Sequence, residues 1–267
     1  MAEVNGVDLR QDKPHSARIY DYLMGGKDFY EVDRLAADQI ETAIPDVRLV
    51  ARENRKFMNR AVRYLAENGV RQFLDIGTGI PTEPNLHQVV QTVAPESRVV
   101  YVDNDPIVLA HARALLSGTP EGRTQYVHAD LTAPNTIVES SELRETLDLS
   151  QPVALSLIAI AHFVPGAQIY DIVRTLLAAL APGSYLVMTH LTADFDAETV
   201  AKTVASYQAN EIPIEARSEE QVARFLENLE LVEPGLIQFH KWRNDGIETP
   251  KSYDTRIPGW GLVARKP

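Results

Sequence analysis

Phe73-Leu74-Asp75-Ile76-Gly77-Thr78-Gly79-Ile80-Pro81-Thr82 reads as an apolar strand that runs into a glycine turn and on toward a helix. Glycines at Gly77 and Gly79 let the backbone approach a ligand without Cβ obstruction, although a glycine pair by itself is also an ordinary turn. The dinucleotide pattern G-x-G-x-x-G requires a third glycine at position 82, where Thr82 stands, so close approach to a pyrophosphate is not supported. Asp75, two residues before the first glycine, suits a diphosphate poorly. Its carboxylate is better suited to an ammonium group. The turn Gly77-Thr78-Gly79 and Asp75 therefore point to a ligand with a positive end.

Outward from this stretch the pattern is regular. Apolar runs at Arg98–Val102, Thr124–His128, Val153–Ile158 and Tyr185–Thr189 alternate with helical patterns at Leu86–Val93, Pro106–Leu116, Ile137–Leu147 and Ala167–Leu180. Such βαβα alternation predicts a mostly parallel sheet with helices on both faces. Two further helical stretches, Ala197–Ala209 and Ser218–Leu229, precede strand-like runs at Leu236–Trp242 and Gly259–Ala264, expected to pair as an antiparallel edge hairpin. Ahead of the sheet, Ser16 is expected to cap a helix through Met24 that Gly25-Gly26 breaks. Helices at Tyr30–Ala43 and Val47–Glu67 follow, with Asn68-Gly69 as a stop. The expected organisation is one domain: residues 1–70 as an N-terminal helical cap, and residues 71–267 as the ligand-binding α/β portion.

The next two strands end in acids as well. Val99-Val100-Tyr101-Val102-Asp103 places a carboxylate where it can accept both hydroxyls of a ribose. Asp103, Asn104 and Asp105 can alternatively cap the helix from Pro106, a role for which Asn104 and Asp105 are better placed. The third strand ends at His128-Ala129-Asp130-Leu131, where Asp130 is either a turn residue or an acceptor for an adenine amino group, with the Leu131 amide beside it. Open α/β sheets bind ligands at the carboxyl ends of their strands, and three successive acids there favour the ligand reading.

The elements Asp75-x-Gly77-x-Gly79, Asp103 and Asp130-Leu131 resemble the cofactor motifs of class I S-adenosylmethionine-dependent methyltransferases. The run Pro14-His15-Ser16-Ala17-Arg18-Ile19-Tyr20-Asp21-Tyr22-Leu23-Met24-Gly25-Gly26-Lys27-Asp28, with Asn54-Arg55 and Ala161-His162-Phe163-Val164-Pro165, resembles one bacterial family of such methyltransferases long catalogued as a domain of unknown function. The resemblance spans nearly the whole chain. It implies a Rossmann-like seven-stranded sheet that binds S-adenosylmethionine and releases S-adenosylhomocysteine. In such enzymes the acid matching Asp75 lies near the methionine end, that matching Asp103 holds the ribose and that matching Asp130 faces the adenine edge; Asn104 and Leu131 accompany them. Pro81 stands where many methyltransferases carry a third glycine.

Gly25 is a candidate hinge that brings Arg18, Tyr20, Asp21 and Lys27 over the cofactor, with Arg18 and Lys27 as alternative selectors of an acidic acceptor; a helix C-cap is the structural alternative. His162 follows the fourth strand and is the candidate catalytic base, although methyl transfer can proceed by alignment alone. Of the 267 residues, 37 are acidic and 26 basic, a formal charge of −11 that disfavours a nucleic acid partner. The apolar stretch Pro152–Gly166 is shorter than the ~18 residues of a membrane span. There is no cysteine and no metal motif, and Met1–Lys13 lacks the apolar centre of a secretory signal. The expected protein is a cytoplasmic methyltransferase with a small-molecule acceptor and no metal, membrane or nucleic acid partner; no motif specifies its oligomeric state. A non-catalytic binder of the same cofactor and an NAD-dependent oxidoreductase are the competing readings.

Overall fold

A computed structural model describes residues 3–4, 7–8, 11–108, 118–244, 246–247 and 249–267. A small antiparallel pair, β1 (Glu3–Val4) and β2 (Val7–Asp8), precedes three helices, α1 (Ser16–Met24), α2 (Glu31–Ala43) and α3 (Val47–Glu67). The chain then alternates through β3 (Gln72–Ile76), α4 (Leu86–Val93), β4 (Arg98–Asp103), β5 (Arg123–His128), α5 (Pro134–Glu139), α6 (Ser141–Thr146), β6 (Ala154–Leu157), α7 (Gln168–Ala178) and β7 (Tyr185–Leu191). The tail comprises α8 (Ala197–Ala209), α9 (Glu219–Ala223), β8 (Glu230–Leu231), β9 (Ile237–Gln238), α10 (Tyr253–Arg256) and β10 (Gly259–Arg265). Of the helix expected at Pro106–Leu116, residues 109–116 lie outside the described residues.

The central sheet runs β5-β4-β3-β6-β7-β10-β8, with β9 pairing to β10 as an eighth strand off this path. Every pair from β5 to β7 is parallel, and β10 is antiparallel to its neighbours. The strand order reverses between β3 and β6, which opens a crevice at their carboxyl ends, the place where doubly wound sheets take ligands. On one face of the sheet, Leu74, Val100 and Leu155 pack with Ile137, Leu143, Ile169 and Leu176 of α5, α6 and α7. On the other, Phe73, Val99, Val187 and Val263 meet Phe57, Ala61, Val62 and Leu65 of α3. Thus α3 belongs to the sheet layer as well as to the N-terminal helices.

Several expectations need correction. The N-cap of α1 is His15, whose ring Nδ1 accepts the Ala17 amide, while Ser16 is already helical. The helix expected over Ile137–Leu147 is two, because Ser140 takes an extended conformation between α5 and α6; serine hydroxyls compete with the helical ladder at such positions. The stretch Ser218–Leu229 is helical only over Glu219–Ala223 and a 3-10 turn at Arg224–Leu226. Of the strand expected at Leu236–Trp242 only β9 pairs, since the rest turns toward α3: Trp242 packs edge-on against Phe57 and Tyr64, and the Arg60 guanidinium donates to the Phe239 and Trp242 carbonyls. The antiparallel pairing with Gly259–Ala264 exists, but β10 lies inside the sheet beside β7, not at its edge. Its residues Gly259–Ala264 are buried without alternation, as an interior strand requires.

The helical layer is tied to the sheet through a buried ionic chain. Arg18 is 1% exposed, with Nη1 3.4 Å from the Asp33 carboxylate of α2 and Nε 3.1 Å from that of Asp105, just past β4. Asp33 also accepts the His15 and Tyr30 amides. Breaking a buried pair by removing one partner leaves uncompensated charge, typically costing about 3–5 kcal/mol. Arg18→Met is expected to lose about that much unfolding free energy in chemical denaturation at pH 7. Lys202→Ala, which removes an exposed pair with Glu198, should change it by less than about 0.5 kcal/mol.

Candidate functional site

The carboxyl ends of β3, β4, β5 and β6 open into one cavity of about 500 Å³, closed on the far side by α1, α3, α8 and residues 211–214. Gly77 and Gly79 take positive φ, 75° and 67°, and a Cβ on Gly77 would lie 2.5 Å from Ile160, so this turn needs glycine for space as well as conformation. The turn is held by β4. The Gly77 and Thr78 amides donate to the Val102 carbonyl at 2.8 and 3.2 Å, and the Gly79 amide to Asp103 Oδ2 at 2.8 Å. All three amides are thus engaged within the protein and form no cradle for a diphosphate.

Asp103 is buried, with Oδ1 accepting the Asp105 amide at 2.9 Å. Asp105 in turn accepts the Ile107 amide, so the capping role falls to Asp105. Each Asp103 oxygen keeps capacity for a second donor. Burial raises its pKa, against the lowering effect of the two amides. Asp130 is held more firmly: burial alone would raise its pKa, but the Thr132 hydroxyl and amide and the Asn104 side-chain amide outweigh that and hold it low. Asp75, 9% exposed on β3, is pushed up to about 6 by burial, against the opposing influence of Ser156, Arg55 and Thr78.

Asp75, Gly77, Thr78, Gly79, Asp103, Asn104, Asp130, Leu131, Tyr20 and His162 all line this cavity. Arg18, Asp21 and Gly25 do not, contrary to expectation. Arg18 is committed to Asp33 and Asp105; Asp21 is a buried residue of α1 and accepts the Asp28 amide at 2.9 Å; Gly25, at φ 87°, is the helix C-cap. Lys27 is exposed and also off the cavity wall. Of Tyr20, Tyr22, Phe29 and Tyr30, Tyr20 alone lines the cavity, while Tyr22 and Phe29 pack edge-to-face with each other.

Two arrangements at the wall were not foreseen. The Ala159 amide donates to Thr189 Oγ1, which donates to Asn54 Oδ1. Asn54 Nδ2 then donates to the Tyr20 hydroxyl, itself bonded to the Ala51 carbonyl, so α1, α3, β7 and the end of β6 are joined across the floor. Beside it, the buried Arg217 guanidinium donates to the carbonyls of Val164 and Gly166, to Glu215 and to His190 Nε2. Because arginine only donates, His190 Nε2 is an acceptor and its Nδ1–H donates to the Leu191 carbonyl at 2.8 Å. The His162 and His190 rings meet at 5.7 Å. Burial, His190 and Arg217 together push His162 well below the ordinary histidine range, and burial pushes His190 down to about 4. Asn54 and His162 stood in motifs visible in the sequence, but Thr189, His190, Tyr207 and Arg217 carried no local signal.

The model of the S-adenosyl methyltransferase family matches residues 3–267. The chain belongs to that family. Among solved structures it is similar to a DUF574 family protein from Streptomyces avermitilis, at 51% identity and TM-score 0.92, covering 97% of this chain and 100% of that one. A Thermobifida fusca protein provisionally assigned as a methyltransferase is 38% identical at TM-score 0.90, covering 99% of each. A Mesorhizobium loti S-adenosylmethionine-dependent methyltransferase, at 19% identity, TM-score 0.50 and coverage of 78% of this chain and 95% of that one, shares the fold. No curated protein matches the sequence. The protein is a methyltransferase that uses S-adenosylmethionine.

The residues present fit that cofactor. A buried strand-tip carboxylate with spare acceptor capacity suits vicinal hydroxyls, and a deeply placed acid suits an ammonium. A buried acid also costs stability when ionised. Folding raises Asp75 from 3.8 to about 6, so its favourable contribution is fully present below pH 4 and is lost as pH rises through 6. At 1.36 kcal/mol per unit, the loss at pH 7 is about 3 kcal/mol. Asp75→Asn is therefore expected to be more stable than the natural protein by up to about 3 kcal/mol at pH 7 and equal to it near pH 4, read from denaturation midpoints across that range.

Proposed function

We propose that the protein methylates a small-molecule acceptor bound between the S-adenosylmethionine site and the helical layer, with residues 1–70 acting as the cap of the single domain formed with 71–267. When bound, S-adenosylmethionine supplies an electrophilic methyl group on sulfur. Asp103 accepts the ribose hydroxyls, Asp130 and the Leu131 amide address the adenine, Asn104 orients Asp130, and Asp75 holds the ammonium end. Gly77, Thr78 and Gly79 shape the passage between them. The observation that carries this reading is the engagement of the turn's amides by β4: it leaves carboxylates, not the amides of the glycine turn, as the recognition groups of strands β3 and β4. That arrangement favours a cationic sulfonium ligand over a nicotinamide dinucleotide.

Tyr20 and the Asn54–Thr189 chain hold the wall between cofactor and acceptor, and His162 stands on the acceptor side. Alignment inside a cavity that excludes water supplies most of the rate enhancement of such a displacement. His162, kept neutral by its surroundings, is available to accept a hydrogen bond from the acceptor's nucleophile. No helix among the described residues is long and apolar enough to cross a membrane. We assign a cytoplasmic site of action on the cysteine-free composition.

Calorimetric titration with S-adenosylmethionine, S-adenosylhomocysteine and NAD tests the reading. Saturable binding of the two sulfur ligands and none of NAD is expected; binding of NAD alone overturns it. Asp103→Ala should weaken S-adenosylhomocysteine by about 1–3 kcal/mol, the usual range for lost bonds to a charged group. Unchanged affinity in a folded variant removes Asp103 from the site.

A further inference from the structure

The cavity has two unlike halves. The sheet-side half carries Asp75, Asp103 and Asp130, the groups assigned above to the cofactor. The half under the helices is walled by Leu23, Val47, Met58, Phe163, Tyr207 and Ile212. Leu23, Val47 and Ile212 belong to one apolar cluster between α1, α2 and α3, with Phe163 and Tyr207 packed on it. Two charged side chains among the described residues lining the cavity lie outside the carboxylate group. Arg55 acts on Asp75 from the sheet side, where one of its nitrogens donates to the Thr82 and Pro84 carbonyls and its Nε is buried without a partner, and Glu211 sits exposed at the rim beside Lys13. The cations nearest this half are turned away from it: Arg48 serves Glu41 and the carbonyls of Tyr22 and Leu23, and Arg217 its carbonyls, Glu215 and His190. A charged acceptor entering here would lose its hydration without gaining a counter-charge.

The polar groups of this half are mostly spent. The Tyr20 hydroxyl, Asn54, Thr189 and the Thr203 hydroxyl have hydrogen-bond partners within the protein. The Tyr207 hydroxyl and the His162 ring differ, since neither forms a hydrogen bond among the described residues; His162 is buried to nine-tenths and lines the cavity with Nδ1 wholly covered, which leaves Nε2 as the ring nitrogen a ligand can reach. Arg217 and His190 pack behind it, disfavouring a second positive charge on its ring. A neutral imidazole among apolar walls offers a lone pair to one donor.

We infer that the acceptor is an uncharged, largely apolar molecule that presents a single N–H or O–H to His162. This rests on the methyltransferase reading above and narrows it. It also replaces the expectation of an acidic acceptor selected by Arg18 and Lys27, neither of which reaches the cavity.

The test is equilibrium binding to the full chain, in two stages. S-adenosylhomocysteine is titrated first; absence of binding defeats the methyltransferase reading and this inference with it. With that ligand saturating, four probes on one skeleton are compared: 4-phenylphenol, biphenyl, 4′-hydroxybiphenyl-4-carboxylate and 4′-(aminomethyl)biphenyl-4-ol. The phenol should bind at least about tenfold more tightly than the anion and the cation, and more tightly than biphenyl. His162→Leu should remove the advantage of the phenol over biphenyl. Equal or tighter binding of either charged probe overturns the inference while leaving the cofactor assignment standing, and so does failure of the phenol to bind below ~1 mM. A phenol no tighter than biphenyl in the natural protein overturns the role of His162 without recourse to the variant.

Discussion

A buried guanidinium stands at the centre of this structure. Arg18 lies between the carboxylates of Asp33 and Asp105; the Asp105 amide donates to Asp103, and Asp103 receives the Gly79 amide. One unbroken chain of charge and hydrogen bonds thus runs from α2 through α1 to the end of β4 and into the glycine turn. Removing Arg18 would strand the buried carboxylates of Asp33 and Asp105. The helical layer is held at the mouth of the cavity by this network as well as by apolar contact, and the orientation of Asp103 depends on it.

The same economy of donors shapes recognition. Glycine turns after a first strand often aim their amides at phosphate. Here the Val102 carbonyl and the Asp103 carboxylate take those amides, and the cavity is left with acceptors on its sheet side. An environment of buried carboxylates destabilises the empty protein, as the raised Asp75 shows, and is relieved by a ligand that brings donors and positive charge. Across the cavity the chemistry reverses to apolar walls around a neutral histidine pinned by His190 and Arg217. The two halves of one enclosure therefore differ in polarity, as the proposed division into cofactor and acceptor sides requires.

Much of this was legible in the chain. The alternation of short apolar runs with helical periods defines a parallel sheet because strands buried on both faces must be apolar throughout. Glycines and acids at strand ends stand out because a positive φ favours glycine and a buried carboxylate is costly without a partner. The tail was harder to read. Phe239 and Trp242 have the apolarity of a strand, but their partners are Arg60 and the aromatic rings of α3, some 180 residues away. No periodicity reports such a contact. Likewise Arg18, polar and near a glycine break, reads like a ligand contact until Asp33 and Asp105 are seen to enclose it.

The sequence by itself determined the βαβα order, the glycine turn and the three strand-tip acids, since these rest on local periodicity and on residue types with few alternatives. Tertiary structure decided what each polar group faces. Whether an aspartate meets a ligand, an amide or an arginine depends on chain segments far apart in sequence, and in a low-dielectric interior that partner sets its charge. Hence Asp75, Asp103 and Asp130 share a cavity while Asp21, Asp33 and Asp105 are spent on the scaffold, and the apolar half of the cavity is assembled from α1, α3, α8 and β7, none of which carries its own signature.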